Sequence, residues 1–180
     1  MRPTDAAARR RLRAAWIARI ASPLAGLLGR RPPALQVAAL CLRGAAGAEQ
    51  VLLITSRGSG RWVLPKGWPM KGRSLAGAAQ REAWEEAGVT GAVGRAPLGT
   101  YHYLKYGRGG LGRRVSVNVY PLWLRRLEPH FPEAGQRDLG WFAPAEAAAL
   151  VAEPELAALL RALPRHLPQR QPPRDAAAAT

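Results

Sequence analysis

Short apolar runs separated by glycine- and proline-rich breaks set the grammar of this chain. Residues 35–43 (LQVAALCLR) and 50–56 (QVLLITS) are strand-length runs on either side of Gly44 and Gly47, a pattern that predicts a hairpin. Trp62-Val63-Leu64 is a third short run, and residues 68–73 (WPMKGR) carry Pro69 and Gly72, which predict an irregular loop. A helix is expected over 75–87, with Ser74 as N-cap and Gly88 as its stop. Residues 98–105 and 113–124 read as strands, the second alternating through Val115, Val117 and Val119. The loop between them, 106–112, is basic and holds four glycines. Trp141-Phe142 predicts a last short strand, followed by helices over 145–151 and 155–163. Strands surrounding one central helix, with further helices late in the chain, give a mixed α/β (α+β) class rather than a regular βαβ series.

The ends read differently. Residues 4–29 predict an amphipathic, Arg-rich helix, read as a solvated or domain-packed segment; the same Arg-rich, acid-poor composition also describes transit peptides, against which its low serine content argues. Arg30 to Pro33 mark a linker, and the Pro-, Gln-, Arg- and Ala-rich tail beyond Pro164 is expected to be disordered. The expected organisation is thus 1–34 as helix and linker, 35–163 as the domain and 164–180 as tail. At 180 residues and 48% apolar content the chain can bury one real core. No apolar run approaches the roughly 20 residues needed to span a bilayer. The single cysteine, Cys41, excludes an intrachain disulfide, predicts a reducing, cytoplasmic setting, and reads as a core thiol.

Charge sharpens the picture. Of the net +15, +7 lies in residues 1–34 and +2 in 164–180, leaving +6 on the domain. Such a balance points to a polyanionic partner: nucleic acid, a phosphate-rich small molecule or an anionic membrane. Between Glu49 and Glu128 only three residues are acidic, and all lie on the central helix: Glu82, Glu85 and Glu86. Positions i, i+3 and i+4 share one helical face. From Arg57 to Arg114 the same stretch carries eleven Lys or Arg. Two readings stand: a solvated acidic face, or a hard-metal site for Mg²⁺, which takes oxygen ligands and leaves positions for water and phosphate. The Gly/Pro loop before the helix and the basic flanks favour the second.

Gly67, a spacer to position 73, and Arg81-Glu82-Ala83-Trp84-Glu85-Glu86-Ala87-Gly88-Val89 together resemble the Nudix box, G-x5-E-x7-R-E-U-x-E-E-x-G-U, over 23 residues. The resemblance implies an α/β/α sandwich with a mixed sheet, and a hydrolase of phosphoanhydride (diphosphate) bonds using Mg²⁺ or Mn²⁺. By the motif match, Glu82 and Glu86 would be metal ligands, with the backbone carbonyl of Lys66 as a further one. Glu85 would bind metal or accept a proton from the attacking water. The departure is Arg73, where the family has Glu; Arg81 then needs another partner, and Glu85 or a backbone carbonyl is expected.

The run Arg61 to Gly67 and the helix sequence look most like the diphosphoinositol polyphosphate phosphohydrolase group, whose members act on diphosphoinositol and dinucleoside polyphosphates. A ring of cations, with Arg57, Arg61, Lys66, Lys71 and Arg114 as the expected substrate-binding set, would suit a phosphate-rich small-molecule substrate. His102 reads as structural, and Trp68 as loop packing, with base stacking as a second reading. Two alternatives remain: a nucleotide-sugar or ADP-ribose pyrophosphatase, or a catalytically weakened module that binds polyanions such as RNA. The aromatic residues lack the alternation of a single-strand nucleic-acid platform, so nucleic acid is not the favoured partner.

Overall fold

The computed structural model describes residues 32–106 and 112–166. The expected helix over 4–29, most of the 106–112 loop and most of the tail lie outside the described residues.

Eight strands and three helices make up the described part: β1 (Ala34–Arg43), β2 (Gln50–Thr55), β3 (Trp62–Val63), β4 (Lys66–Gly67), α1 (Leu75–Ala87), β5 (Val89–Val93), β6 (Gly99–Tyr106), β7 (Gly112–Leu127), β8 (Leu139–Phe142), α2 (Pro144–Leu150) and α3 (Pro154–His166). The expected hairpin of β1 and β2 forms, with Leu42 opposite Val51. β6 and β7 pair antiparallel from Gly99 opposite Val119 to Tyr106 opposite Gly112. The sheet runs β3-β2-β1-β7-β5, with β4 also on β1, β6 on β7 and β8 on β2. It is mixed because β1 and β7 run parallel, from Ala34 beside Val115 to Leu42 beside Trp123.

β1 explains its own unbroken apolar run. Ala38, Leu40 and Leu42 face a core completed by α2 and α3, through Ala147, Leu156, Leu160 and Leu163. Val37, Ala39 and Cys41 face a second core completed by α1, through Ala76, Ala79, Ala83 and Ala87. A central strand covered on both faces has no polar side to alternate with. The layers are therefore α1, sheet, then α2 with α3, the sandwich expected. Cys41 is fully buried, and burial pushes its thiol far above the ordinary range, in keeping with a core role.

Three elements depart from the sequence reading. Lys66–Gly67, to which no element is assigned from the sequence, pairs with Ala38 and Val37 of β1. Val89–Val93 forms β5 against β7, although Thr90 and Gly91 break its apolar pattern; the register shifts there in a bulge, a common use of a strand glycine. α3 extends to His166, past the expected stop at 163 and into the expected tail.

Candidate functional site

The site is organised by α1. The Ser74 hydroxyl accepts from the Gly77 N–H at 3.0 Å, and Gly88, at φ 65°, returns its own N–H to the Ala83 and Trp84 carbonyls. A left-handed stop of this kind is natural for glycine and strained for other residues. Between the caps, alanines lie against the sheet with almost no side chain to hold the helix away. That contact fixes the rotation of the helix and divides its polar positions. Glu82 and Glu86 line an open cleft of about 610 Å³, while Arg81 and Trp84 line a separate hollow of about 190 Å³ that also includes Arg73.

Glu86 is 8% exposed and held from two directions. Its Oε2 accepts the Lys66 backbone N–H at 2.9 Å, so β4 positions it; its Oε1 pairs with the Arg137 guanidinium. The Arg137 side chain is shielded from solvent and also donates to Glu133 Oε2 at 2.9 Å and to the Thr55 carbonyl at 3.0 Å. The loop carrying these two residues is tied back to the helix end, Glu133 N–H to the Glu85 carbonyl at 3.0 Å and Glu128 N–H to the Gly88 carbonyl at 2.8 Å. Burial raises the Glu86 carboxyl above its ordinary range, against the opposing pull of the Lys66 N–H and Arg137.

Glu82 makes no hydrogen bond or ion pair among the described residues. Burial, then the charges of Glu86, Glu85 and Glu133, raise its carboxyl to about 7. It lies directly over β4: a Cβ on Gly67 would overlap its carboxylate and force it to move aside. Two carboxylates thus meet the Lys66–Gly67 stretch, Glu86 at the Lys66 N–H and Glu82 over Gly67. The Lys66 ammonium lines the cleft, with its affinity for a proton lowered by burial.

The donor set fits a hard cation. It is all oxygen, Glu82 has no ion pair among the described residues, and an ionised carboxylate has about four acceptor positions, of which Glu86 has committed two. As the side chains stand, no three ligating groups among the described residues already enclose an ion.

The other expected residues divide. Arg57 and Arg61 line the cleft, Arg57 pairing with Glu133 at 3.2 Å and Arg61 standing 3.8 Å from Glu153. Lys71 and Arg114 do not line it. Glu85 does not either: its Oε1 takes the Arg81 guanidinium at 2.6 Å, and Arg81 also sits 4.2 Å over the Trp84 ring. Arg81 has therefore found the partner expected in the absence of an acid at 73. His102 bonds Glu155, ring Nδ1 at 2.9 Å, in a structural contact. Missed from sequence were Glu133, Arg137, Gln36, Tyr103 and Glu153. Nothing local marks them; only the tertiary fold brings them to the cleft.

A NUDIX domain family model matches residues 32–163, the whole sheet and its helices except the last three residues of α3. The chain belongs to the NUDIX domain family. Human diphosphoinositol polyphosphate phosphohydrolase 3-alpha is 42% identical over 60 residues, 33% of this chain and 37% of that protein. The corresponding rat phosphohydrolase 2 is 40% identical over 60 residues, covering 33% of this chain and 34% of its own length. The matches thus span little more than a third of these relatives. The Caenorhabditis elegans Ap4A hydrolase structure superposes with TM-score 0.53 at 20% identity, over 73% of this chain and 96% of that one. The NUDIX domain of Shewanella oneidensis NrtR, solved with ADP ribose, gives TM-score 0.56 at 20% identity, over 76% and 90% of the two chains. At such identities these neighbours speak for the NUDIX fold alone.

Proposed function

We propose that this NUDIX chain is a Mg²⁺- or Mn²⁺-dependent hydrolase of phosphoanhydride bonds, acting on a phosphate-rich small molecule such as a dinucleoside polyphosphate or a diphosphoinositol polyphosphate. The observation that carries this is the pair Glu82 and Glu86 set over the Lys66–Gly67 backbone in a cleft rimmed by Arg57, Arg61, Lys66 and Lys105. The local likeness to the phosphohydrolases supports the substrate class.

Glu82, Glu86 and Glu133, with the Lys66 carbonyl, would hold the cation. When bound, it supplies charge neutralisation at the anhydride oxygens and makes water more acidic. Arg137 keeps Glu86 and Glu133 in place. Arg57 and Arg61, which stand beside Glu133 and Glu153, can exchange those contacts for substrate phosphates, a match of planar donors to oxyanions. Glu82 has no hydrogen-bond partner among the described residues, so an oxygen not taken up by the cation would be free to accept a proton from the attacking water. For Glu85 to do so, as the motif match suggested, it would have to leave Arg81. Arg73 lies at the separate hollow, so the departure from the family pattern falls outside the cleft.

The test is turnover of diadenosine polyphosphates, diphosphoinositol polyphosphates, ADP-ribose and nucleotide sugars with Mg²⁺ or Mn²⁺. Hydrolysis of the first two above the others is expected. Strong preference for ADP-ribose or a sugar nucleotide would replace the substrate class, and metal-independent binding of RNA without turnover would overturn the reading.

A further inference from the structure

The cleft has a second end that the metal chemistry does not use. Glu153, at the start of α3, is 9% exposed, and its Oε2 is the one buried side-chain oxygen or nitrogen among the described residues with no hydrogen-bond partner. Among the described residues its Oε1 has only Arg61, at 3.8 Å. Beside it in the cleft wall, the Tyr103 hydroxyl donates to Gln36 Oε1 at 2.7 Å, which leaves the Gln36 amide nitrogen to donate elsewhere. The rim carries Trp68, 43% exposed with Lys105 5.1 Å over its ring, and Tyr106, 68% exposed.

A buried carboxylate oxygen without a donor is costly, and natural proteins seldom leave one so. Because the terminal torsion of Glu is broad, a small turn of the carboxylate brings a different oxygen toward the cleft. What would satisfy it is a ligand N–H. A phosphate at this place would be repelled, which disfavours a ligand bearing phosphates on every side. The exposed rings suit a flat aromatic group.

We propose, resting on the hydrolase reading above, that Glu153 and Gln36 recognise the base of a nucleoside polyphosphate, with guanine as the matching edge. Guanine offers N1–H and N2–H donors to Glu153 and its O6 acceptor to the Gln36 amide. Adenine offers an amino donor where guanine has O6 and places no donors opposite Glu153.

The experiment compares kcat/KM for diguanosine and diadenosine tetraphosphates, and for a diphosphoinositol polyphosphate, in the full chain and in Glu153→Gln. A hydrogen bond to a charged group contributes about 1.5–3 kcal/mol, so a guanine preference of roughly ten- to a hundredfold is expected. Glu153→Gln should bring the two dinucleotides within about threefold and raise relative turnover of the inositol substrate. A preference for adenine in the native chain, or a guanine preference unchanged in Glu153→Gln, overturns the proposal. Gln36→Leu is a second variant, expected to lower the same ratio if Glu153→Gln does not fold. Equilibrium binding of methylene-bridged guanine and adenine nucleotide analogues to Glu86→Gln separates the two readings. If that variant has lost hydrolysis and still prefers guanine, both stand; if it has lost hydrolysis and binds the two bases equally, the base site alone fails. If it hydrolyses as the native chain does, the metal site fails.

Discussion

Two adjacent glutamates on one helix show how differently a carboxylate can be held. Glu85 is answered within its own helix by Arg81, four residues back, and remains 30% exposed. Glu86 is answered by Arg137, fifty-one residues away, and by the backbone of β4. The first arrangement needs only α1. The second needs α1, β4 and the loop after β7 in register together. Charges satisfied locally at a surface contribute little, whereas a buried, tertiary pair is expensive to break. Glu86 is therefore held in place at the cleft by the fold, while Glu85 stays on the helix surface beside it.

The largest expected effect is on turnover. Glu86→Gln should lower metal-dependent hydrolysis by roughly a thousandfold, since on the proposed reading it removes a metal ligand that charge neutralisation depends on. A steady-state assay with a folded variant checks this, and activity within a few-fold of native would erase the contrast. Next is Arg137→Ala, which strands Glu86 and Glu133 behind the site. A loss of about 3 kcal/mol in urea unfolding is expected, because the Arg137 and Glu86 side chains are only 6% and 10% exposed. By comparison, Arg81→Ala should cost at most about 1 kcal/mol, its pair with Glu85 being a surface i,i+4 contact. Glu85→Gln should slow hydrolysis by about tenfold, as a group that orders the edge of the site. If Glu85→Gln proves as damaging as Glu86→Gln, Glu85 must leave Arg81 during the reaction.

The gentlest probe is pH. The Glu82 carboxyl is raised to about 7, so the folded chain holds a proton there that the unfolded chain releases near the ordinary 4.5. Its contribution to stability is present below about 4.5 and declines as pH rises toward 7. A divalent cation competes with that proton. The rise in melting temperature on adding Mg²⁺ should therefore grow between pH 6 and 8, and a gain independent of pH would remove Glu82 from the metal site.

What could be read from the sequence follows the same local-to-distant division. Helix α1, its Ser74 and Gly88 caps and its glutamates were visible because caps and i, i+4 spacing lie within one stretch of chain. The two apolar runs of β1 and β2 were visible for the same reason. The parallel join of β1 to β7 was not, since its partners lie some eighty residues apart. β4 was hidden because two residues flanked by proline carry no periodicity. Arg137, Glu133 and Glu153 look like ordinary surface charges in sequence, and only burial against the cleft distinguishes them. Lys71 and Arg114, conversely, share only the sign of their charge with the cleft arginines, and neither lines the cleft. The cleft selects by position, and charge counting cannot supply position.

The most direct test of the central claim is equilibrium binding of Mn²⁺, followed by its electron paramagnetic resonance signal, to the native chain, Glu85→Gln and Glu86→Gln. The native chain should bind the ion, Glu85→Gln should bind it with affinity within about tenfold of native, and Glu86→Gln should lose affinity by a hundredfold or more. Native-like binding by Glu86→Gln would contradict the assignment of the cation to this cleft.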